Sequence, residues 1–336
     1  MTDLLAKFIR IADIATPHAV RVAATLRLPQ LISEGTTRLD ELADQTRAHP
    51  DALGRVLRLL VLREVFTEPE PGTFGLTEIG RLLLDDAPFQ LRAWLDLDGI
   101  GRADLAFGGL LKSVRTGGPA YQDVHGKPFW EDLEADHELS ASFDALMEQN
   151  RKNTNPAILA GYDWESVDHV VDVGGGRGSL LEALLTAHPG MNGTLVDLPA
   201  TAAFAKRRMA AAGLSGRCTV LAGSFFDQLP VGASAYLLSL VLHDWSDREA
   251  IRILGRCAEA AGADGRILLI ERTNLDVQQS EDFIDMDLRM LVYYGGRERT
   301  LEEFHDLVAK AGLIIRRALY PPSRFSILEC VNDGRS

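Results

Sequence analysis

The chain has 336 residues, 46% of them hydrophobic and 25% charged, which is the balance of a globular protein and enough length for two domains of ~100–200 residues each. Those proportions exclude a disordered or fibrous chain. Lys and Arg number 35 against 48 Asp and Glu, a net charge of -13, so a polyanion such as nucleic acid meets a repelling field unless one face is locally basic.

Met1 to Arg10 carries Asp3 among its apolar residues and has no small-residue cleavage signal, so no secretory peptide is expected. Asp40 to Thr46 predicts a short helix, and a turn holding His49 and Pro50 follows it. In the next helix Leu53, Val56, Leu57 and Leu60 share one face while Arg55 and Arg58 point elsewhere. Val65 to Thr67 and Thr73 to Leu76 read as two short strands linked through Glu68, Pro69, Glu70, Pro71 and Gly72. Helix, turn, helix and hairpin in that order resemble a winged helix. Between Thr36 and Arg81 there are 6 basic and 8 acidic residues, and the wing tip carries Glu68 and Glu70. That sign opposes DNA binding by a winged-helix regulator and suits a dimer interface. Residues 100 to 160 read as further helices, with Phe107, Trp130, Phe143 and Met147 spread among charged positions.

From His169 onward strands and helices alternate. The strand candidates are His169–Val173, Thr194–Leu198, Thr219–Ala222, Ala235–Leu242 and Arg266–Ile270, with Leu313–Tyr320 and Phe325–Val331 at the end. The long linking segments before residue 313 predict a parallel sheet covered on both faces. The last two strands are joined only by Pro321, Pro322, Ser323 and Arg324, so they must pair antiparallel. Ser246 with Glu249 and Thr300 with Glu303 form capping boxes, and Gly312 is a C-cap candidate. The longest uncharged run with a strong apolar core, Gln228 to His243, contains Pro230 and Gly232 and falls short of the ~20 apolar residues of a membrane span. Cys218, Cys257 and Cys330 match neither a zinc pattern nor a disulfide framework. A soluble, cytoplasmic enzyme is expected, with no membrane partner.

The strongest signal is Val170-Val171-Asp172-Val173-Gly174-Gly175-Gly176-Arg177-Gly178-Ser179, a buried strand running through glycines into a helix. Glycines there let the backbone approach a ligand closely. The spacing differs from the dinucleotide pattern, and no Lys-Ser/Thr follows to make a triphosphate loop. Asp197 ends the next strand, where a carboxylate accepts hydrogen bonds from both ribose hydroxyls of a nucleoside. Asp172, an acid at a strand end, either orients loop amides or faces a cationic part of the ligand. His243 follows the fourth strand, at the carboxyl-end crevice where an open parallel sheet binds ligands.

Asp-x-Gly-x-Gly-x-Gly with its downstream acid, Gly223-Ser224-Phe225-Phe226, His243-Asp244-Trp245 and Gly295-Gly296-Arg297-Glu298-Arg299-Thr300 together resemble the S-adenosylmethionine-dependent small-molecule O-methyltransferases. These include plant caffeic acid enzymes and bacterial polyketide-tailoring enzymes. Asp287-Leu288-Arg289-Met290-Leu291 is similar to the anthracycline-tailoring branch. The resemblance covers nearly the whole chain. It implies an α/β Rossmann-like seven-stranded sheet with an antiparallel last strand, preceded by a winged-helix-like domain that forms a homodimer. The expected limits are 1–98 for that domain and 99–336 for the methyltransferase domain, of which 99–165 is a helical linker and acceptor pocket and 166–336 the cofactor core.

The resemblance also implies roles. His243 would take the proton of a phenolic hydroxyl, whose pKa lies near ~10, as the methyl group transfers. Glu271 and Glu298 would fix its tautomer and stabilise the imidazolium, although Arg297 and Arg299 beside Glu298 leave open a solvated salt-bridge run. Asp172, Gly174, Gly176, Asp197, Leu198, Gly223, Ser224, Phe225, Ser239 and Trp245 would hold S-adenosylmethionine and its product S-adenosylhomocysteine, with no metal. Ser224 stands where plant relatives have an acid, and Ser239 where they have a lysine. Trp130, Phe143, Met147, Asn150, Asp244 and Arg289 would bind a small aromatic substrate. The rivals are a relative that binds S-adenosylmethionine but hydroxylates or decarboxylates an aromatic polyketide, a metal-dependent catechol methyltransferase, and a transcriptional regulator.

Overall fold

The computed structural model describes residues 2–88, 90–273, 280–322 and 325–334. Two compact units emerge, Met1–Asp104 with Asp136–Leu146, and Leu105–Ala135 with Met147–Ser336. The long helix His137–Ala160 contributes to both.

In the first unit, helices Leu39–Thr46 and Pro50–Leu62 precede the antiparallel strands β1 (Phe66–Glu70) and β2 (Thr73–Leu76), the expected winged order. Pro50 opens its helix at a position where no backbone N–H is needed. Leu53, Leu57 and Leu60 bury against Leu28, Leu42, Phe66 and Phe74, each large side chain contributing ~1.5–3 kcal/mol. Glu68, read as a wing-tip charge, folds back to accept the Gly72 N–H at 2.8 Å, so it closes its own turn. Helix Thr2–Ile11 instead leaves Leu4, Leu5, Phe8, Ile9 and Ile11 exposed.

The second unit contains β3 (His169–Val173), β4 (Asn192–Asp197), β5 (Cys218–Ala222), β6 (Ala235–Ser239), β7 (Arg266–Glu271), β8 (Leu313–Leu319) and β9 (Ser326–Asn332). They form one sheet in the order β5-β4-β3-β6-β7-β9-β8. Strands β3 to β7 run parallel, and β9 enters antiparallel between β7 and β8. The pairing of the last two strands is as expected; Ser323 and Arg324 of their connection lie outside the described residues. Val171, Val173, Leu238 and Leu269 join the core on one face, and Val170, Leu237, Leu268 and Ile270 join the core on the other, the two-residue period of a doubly covered sheet. From β3 the chain winds outward to β4 and β5, then returns to β6 on the opposite side. The strand order therefore reverses between β3 and β6, the place where such sheets bind ligands.

Strand β6 ends at Ser239, three residues short of the expected Leu242. Leu240 adopts φ +55° and donates its N–H to the Ile270 carbonyl, after which Glu271 captures the next two amides. Both capping boxes form, at helices Asp247–Ala261 and Leu301–Lys310, and Gly312 follows the second at φ +76°.

Candidate functional site

At the end of β3, Gly174 donates to the Val196 carbonyl at 2.9 Å and ties the glycine loop to β4. Gly176 has φ +59°, and a Cβ there would meet nothing within 4 Å, so the backbone lies open to a ligand. Gly175 is glycine for a different reason, since a Cβ would stand 2.5 Å from Asp172 Oδ2. Asp197 accepts the Gly176 N–H at 2.8 Å and the Leu198 N–H at 2.7 Å, one on each oxygen, and its carbonyl accepts the Gly223 N–H at 2.9 Å. Asp172, Gly174, Gly176, Asp197, Leu198 and Gly223 thus come together.

Asp172 is 2% exposed, and its Oδ2 has no hydrogen-bond partner among the described residues. Burial pushes its carboxyl up to about 7, against the pull of Arg151 and with Asp197 adding to the rise. A buried carboxylate at this strand end suits a ligand that brings a positive charge, so the loop fits the sulfonium and amino groups of S-adenosylmethionine. Ser224 Oγ accepts the Phe226 N–H at 3.2 Å. Phe225 lies against Gly174, and Trp245 packs edge-on to Phe225 and Phe226 at 5.7 and 4.9 Å.

The second cluster centres on His243. Glu271 is fully buried, and its Oε1 accepts the N–H groups of Val241 and Leu242 at 3.1 and 2.8 Å. Its Oε2 lies 3.8 Å from His243 Nδ1, while Glu298 Oε1 lies 3.2 Å from the same nitrogen. Asp244 Oδ1 is 3.4 Å from Nε2. Burial depresses the imidazole, but Asp244, Glu298 and Glu271 outweigh it and raise His243 to about 10. Burial also lifts Asp244 to about 7 and pushes Glu271 up. The carboxylates therefore stabilise the protonated ring strongly.

The Gly295–Thr300 stretch is the frame of this cluster. Gly295 ends helix Glu281–Tyr294 at φ +72°; the Arg297 N–H bonds the His243 carbonyl at 2.9 Å, and Thr300 caps the next helix. A Cβ on Gly296 would stand 2.1 Å from the His243 carbonyl oxygen. Arg299, 1% exposed, donates to the carbonyls of Leu242 and Trp245 and to Asp247. Glu298 is 3% exposed, so the solvated salt-bridge run left open by the sequence does not describe this loop.

Sequence reasoning missed two residues beside these clusters. Arg151 donates to Ser239 Oγ at 2.6 Å and to the Ser239 carbonyl at 2.8 Å, so the serine at the end of β6 is covered by a cation from helix His137–Ala160. The one available signal was the helical spacing of Glu148, Arg151 and Asn155. Tyr294 stacks on Trp130 with ring centroids 5.5 Å apart, and burial together with Asp244 pushes its phenol well above the usual range. Among the other acceptor candidates, Arg289 pairs with Asp285 and lies over Phe107 at 5.7 Å, Met147 is half-buried and Asn150 is exposed. Phe143 belongs to the first unit. Among the described residues no group of three or more His, Cys, Asp or Glu is placed to hold a metal ion.

Comparison with known proteins gives two family matches, an O-methyltransferase domain over residues 107–314 and an O-methyltransferase dimerisation domain over residues 10–86. The chain is 51% identical to the 2,7-dihydroxy-5-methyl-1-naphthoate 7-O-methyltransferase of Streptomyces carzinostaticus, over 95% of each chain. It is 45% identical to the aclacinomycin 10-hydroxylase of Streptomyces purpurascens, over 97% of this chain and 90% of that one. It superposes with a TM-score of 0.91 and 50% identity on an O-methyltransferase of neocarzinostatin biosynthesis in complex with S-adenosylmethionine and 2-hydroxy-5-methyl naphthoic acid, covering 96% and 98% of the two chains.

Proposed function

The chain belongs to the S-adenosylmethionine-dependent O-methyltransferases of natural-product biosynthesis, and within that family we propose that it methylates a phenolic hydroxyl of an aromatic polyketide, with His243 as general base. The observation that carries this reading is His243, four residues beyond the end of β6, the strand next to the one that leads into the glycine loop, bonded at Nδ1 by Glu298 with Glu271 3.8 Å from the same nitrogen.

Bound at that loop, S-adenosylmethionine supplies a methyl group on a sulfonium already activated for displacement. The residues that would hold it are Asp172, Gly174, Gly176, Asp197, Leu198, Gly223, Ser224, Phe225 and Ser239, with Arg151 added as the cation at Ser239. Trp245 contributes by packing Phe225. Glu298 accepting from Nδ1 leaves Nε2 as the proton acceptor, next to Asp244. An imidazole raised to about 10 matches a phenol near ~10, so proton transfer between them is close to balanced. The ring accepts the proton only while neutral, so the reacting fraction grows with pH, and a cation brought into the cluster lowers the pH at which it appears. Positioning supplies ~7–11 kcal/mol of such a reaction and the base ~3–5 kcal/mol.

The stacked Trp130 and Tyr294 support a flat aromatic acceptor, and Met147, Asn150, Asp244 and Arg289 are proposed as its further contacts. A hydroxylated naphthoic acid of the kind named for the 51% identical relative is the substrate class we favour. Residues 1–98 are proposed as the dimerisation module and 99–336 as the methyltransferase module of a cytoplasmic homodimer that binds no nucleic acid. No described helix is long and apolar enough to cross a membrane. Hydroxylation is the second reading, favoured by the 45% identical relative; the His243, Glu271 and Glu298 set favours methyl transfer.

The test is turnover of labelled S-adenosylmethionine with a panel of hydroxynaphthoic acids. His243→Ala should lose ~10²–10⁴-fold in kcat while still binding S-adenosylhomocysteine. Wild-type turnover in that variant would sink the base assignment.

A further inference from the structure

Arg151 does not reach Ser239 unaided. Glu148, Arg151 and Asn155 lie three and four residues apart on helix His137–Ala160 and so share a face. Each holds a different element of the second unit. Glu148 takes the Arg208 guanidinium in a two-pronged pair, Nη1 to Oε2 at 2.6 Å and Nη2 to Oε1 at 2.9 Å. The remaining Arg208 nitrogen, Nε, bonds Glu182. Asn155 Nδ2 donates to the Ser179 carbonyl at 3.2 Å, and Ser179 Oγ lies 3.5 Å from Glu148 Oε1.

The elements tied in this way are those that carry the cofactor residues. Ser179 and Glu182 belong to helix Ser179–Ala187, which leaves the glycine loop directly at Gly178. Arg208 belongs to helix Pro199–Ala211, which begins two residues after Asp197. Arg151, between Glu148 and Asn155 on the tethered face, spans to the end of β6. Hydrogen bonds from both sides hold Arg208 above its ordinary range, and although burial lifts Glu148, Arg208 pulls it below its own.

We propose that the Glu148–Arg208–Glu182 cluster is a latch that sets the position of Arg151 relative to the glycine loop and Asp197, and so tunes cofactor affinity without taking part in methyl transfer. These are positioning residues, and the inference rests on the reading of the loop as the S-adenosylmethionine site. A planar guanidinium bonded on two edges by two carboxylates, which come from two other helices, fixes all three helices at one junction. Lysine at 208 would keep the charge and lose the fork.

Calorimetric titration of the full-length protein with S-adenosylhomocysteine tests this without relying on catalysis. Glu148→Gln, which keeps shape and one acceptor, should weaken binding about 5–10-fold, with Arg208→Lys similar and Arg208→Met weaker still. The KM for S-adenosylmethionine should rise in parallel, while kcat at saturation changes less than about twofold. In an Arg151→Met background, Glu148→Gln should add no further loss, because the latch acts through Arg151. Equal affinity in Glu148→Gln and wild type, or independent losses in the double variant, overturns the latch alone. A wild-type protein that binds no S-adenosylhomocysteine overturns the cofactor reading, and the latch with it. Unchanged unfolding midpoints in Glu148→Gln exclude a folding defect as the source of weaker binding.

Discussion

Replacing Gly296 by alanine tests how the His243 cluster, the proposed base and its carboxylates, is framed. The new methyl carbon would stand 2.1 Å from the His243 carbonyl oxygen, 2.6 Å from the Asp244 carbonyl carbon and 2.9 Å from the Asp244 oxygen. All three are backbone atoms, so no side-chain rotation relieves the clash, and the loop must retreat by roughly 1 Å to reach ordinary van der Waals contact. That retreat stretches the 2.9 Å bond from Arg297 N–H to the His243 carbonyl and the 3.2 Å contact between Glu298 and Nδ1 beyond hydrogen-bond range. Overpacking costs about 1–3 kcal/mol of stability, and a base displaced by 1 Å costs ~10²-fold in rate. Gly296→Ala should therefore lower kcat about 100-fold and depress the unfolding midpoint, while affinity for S-adenosylhomocysteine, held by other loops, stays within about twofold. Gly255, inside helix Asp247–Ala261, is the control, because a Cβ there would meet nothing within 4 Å. Alanine at that position should stabilise by ~0.5–1 kcal/mol with no change in rate. A Gly296→Ala enzyme with near wild-type kcat would refute the claim that this loop aims the histidine.

Glu298→Gln removes one of the negative charges that raise His243, so the acid limb of the kcat/KM profile should move to lower pH by about 1–2 units, and an unmoved limb counts against the contact. Asp172→Asn concerns stability. A carboxyl raised from 3.8 to about 7 makes the folded chain bind its proton more tightly than the unfolded chain, so ionisation destabilises progressively above pH ~4 and fully above ~7, by at most ~4 kcal/mol. The ligand-free Asp172→Asn protein should thus exceed wild type in stability at pH 8 and match it at pH 4; equal differences at both pH values would contradict the burial. Phe8→Asp, on the exposed apolar face of helix Thr2–Ile11, should turn the proposed homodimer to monomer in sedimentation if that face is the contact, since each large apolar side chain covered in a dimer contributes ~1.5–3 kcal/mol. A persistent dimer would rule out this face as the contact.

Much of this was legible because it is local. The glycine loop, the capping boxes at Ser246 and Thr300 and the pairing of β8 with β9 each follow from a few adjacent residues. What escaped depends on contacts across long stretches of chain. Strand β6 stops at Ser239 because a carboxylate 30 residues onward captures the amides of Val241 and Leu242. Arg151 meets Ser239 across 88 residues, so the cation opposite that serine has no sequence neighbour to announce it. Arg299 looks like one charge in a solvated run, yet three backbone carbonyls and Asp247 surround its buried guanidinium. The sense of the His243 shift also needs geometry, because burial and the carboxylates act in opposite directions.

The most direct test is the mass of the product formed when the purified protein meets S-adenosylmethionine carrying a labelled methyl group and a hydroxynaphthoic acid. Methyl transfer predicts one labelled methyl group on the aromatic oxygen and one equivalent of S-adenosylhomocysteine, both lost together in His243→Ala. A product that has gained an oxygen atom or lost carbon dioxide, with the methyl donor intact, would contradict it.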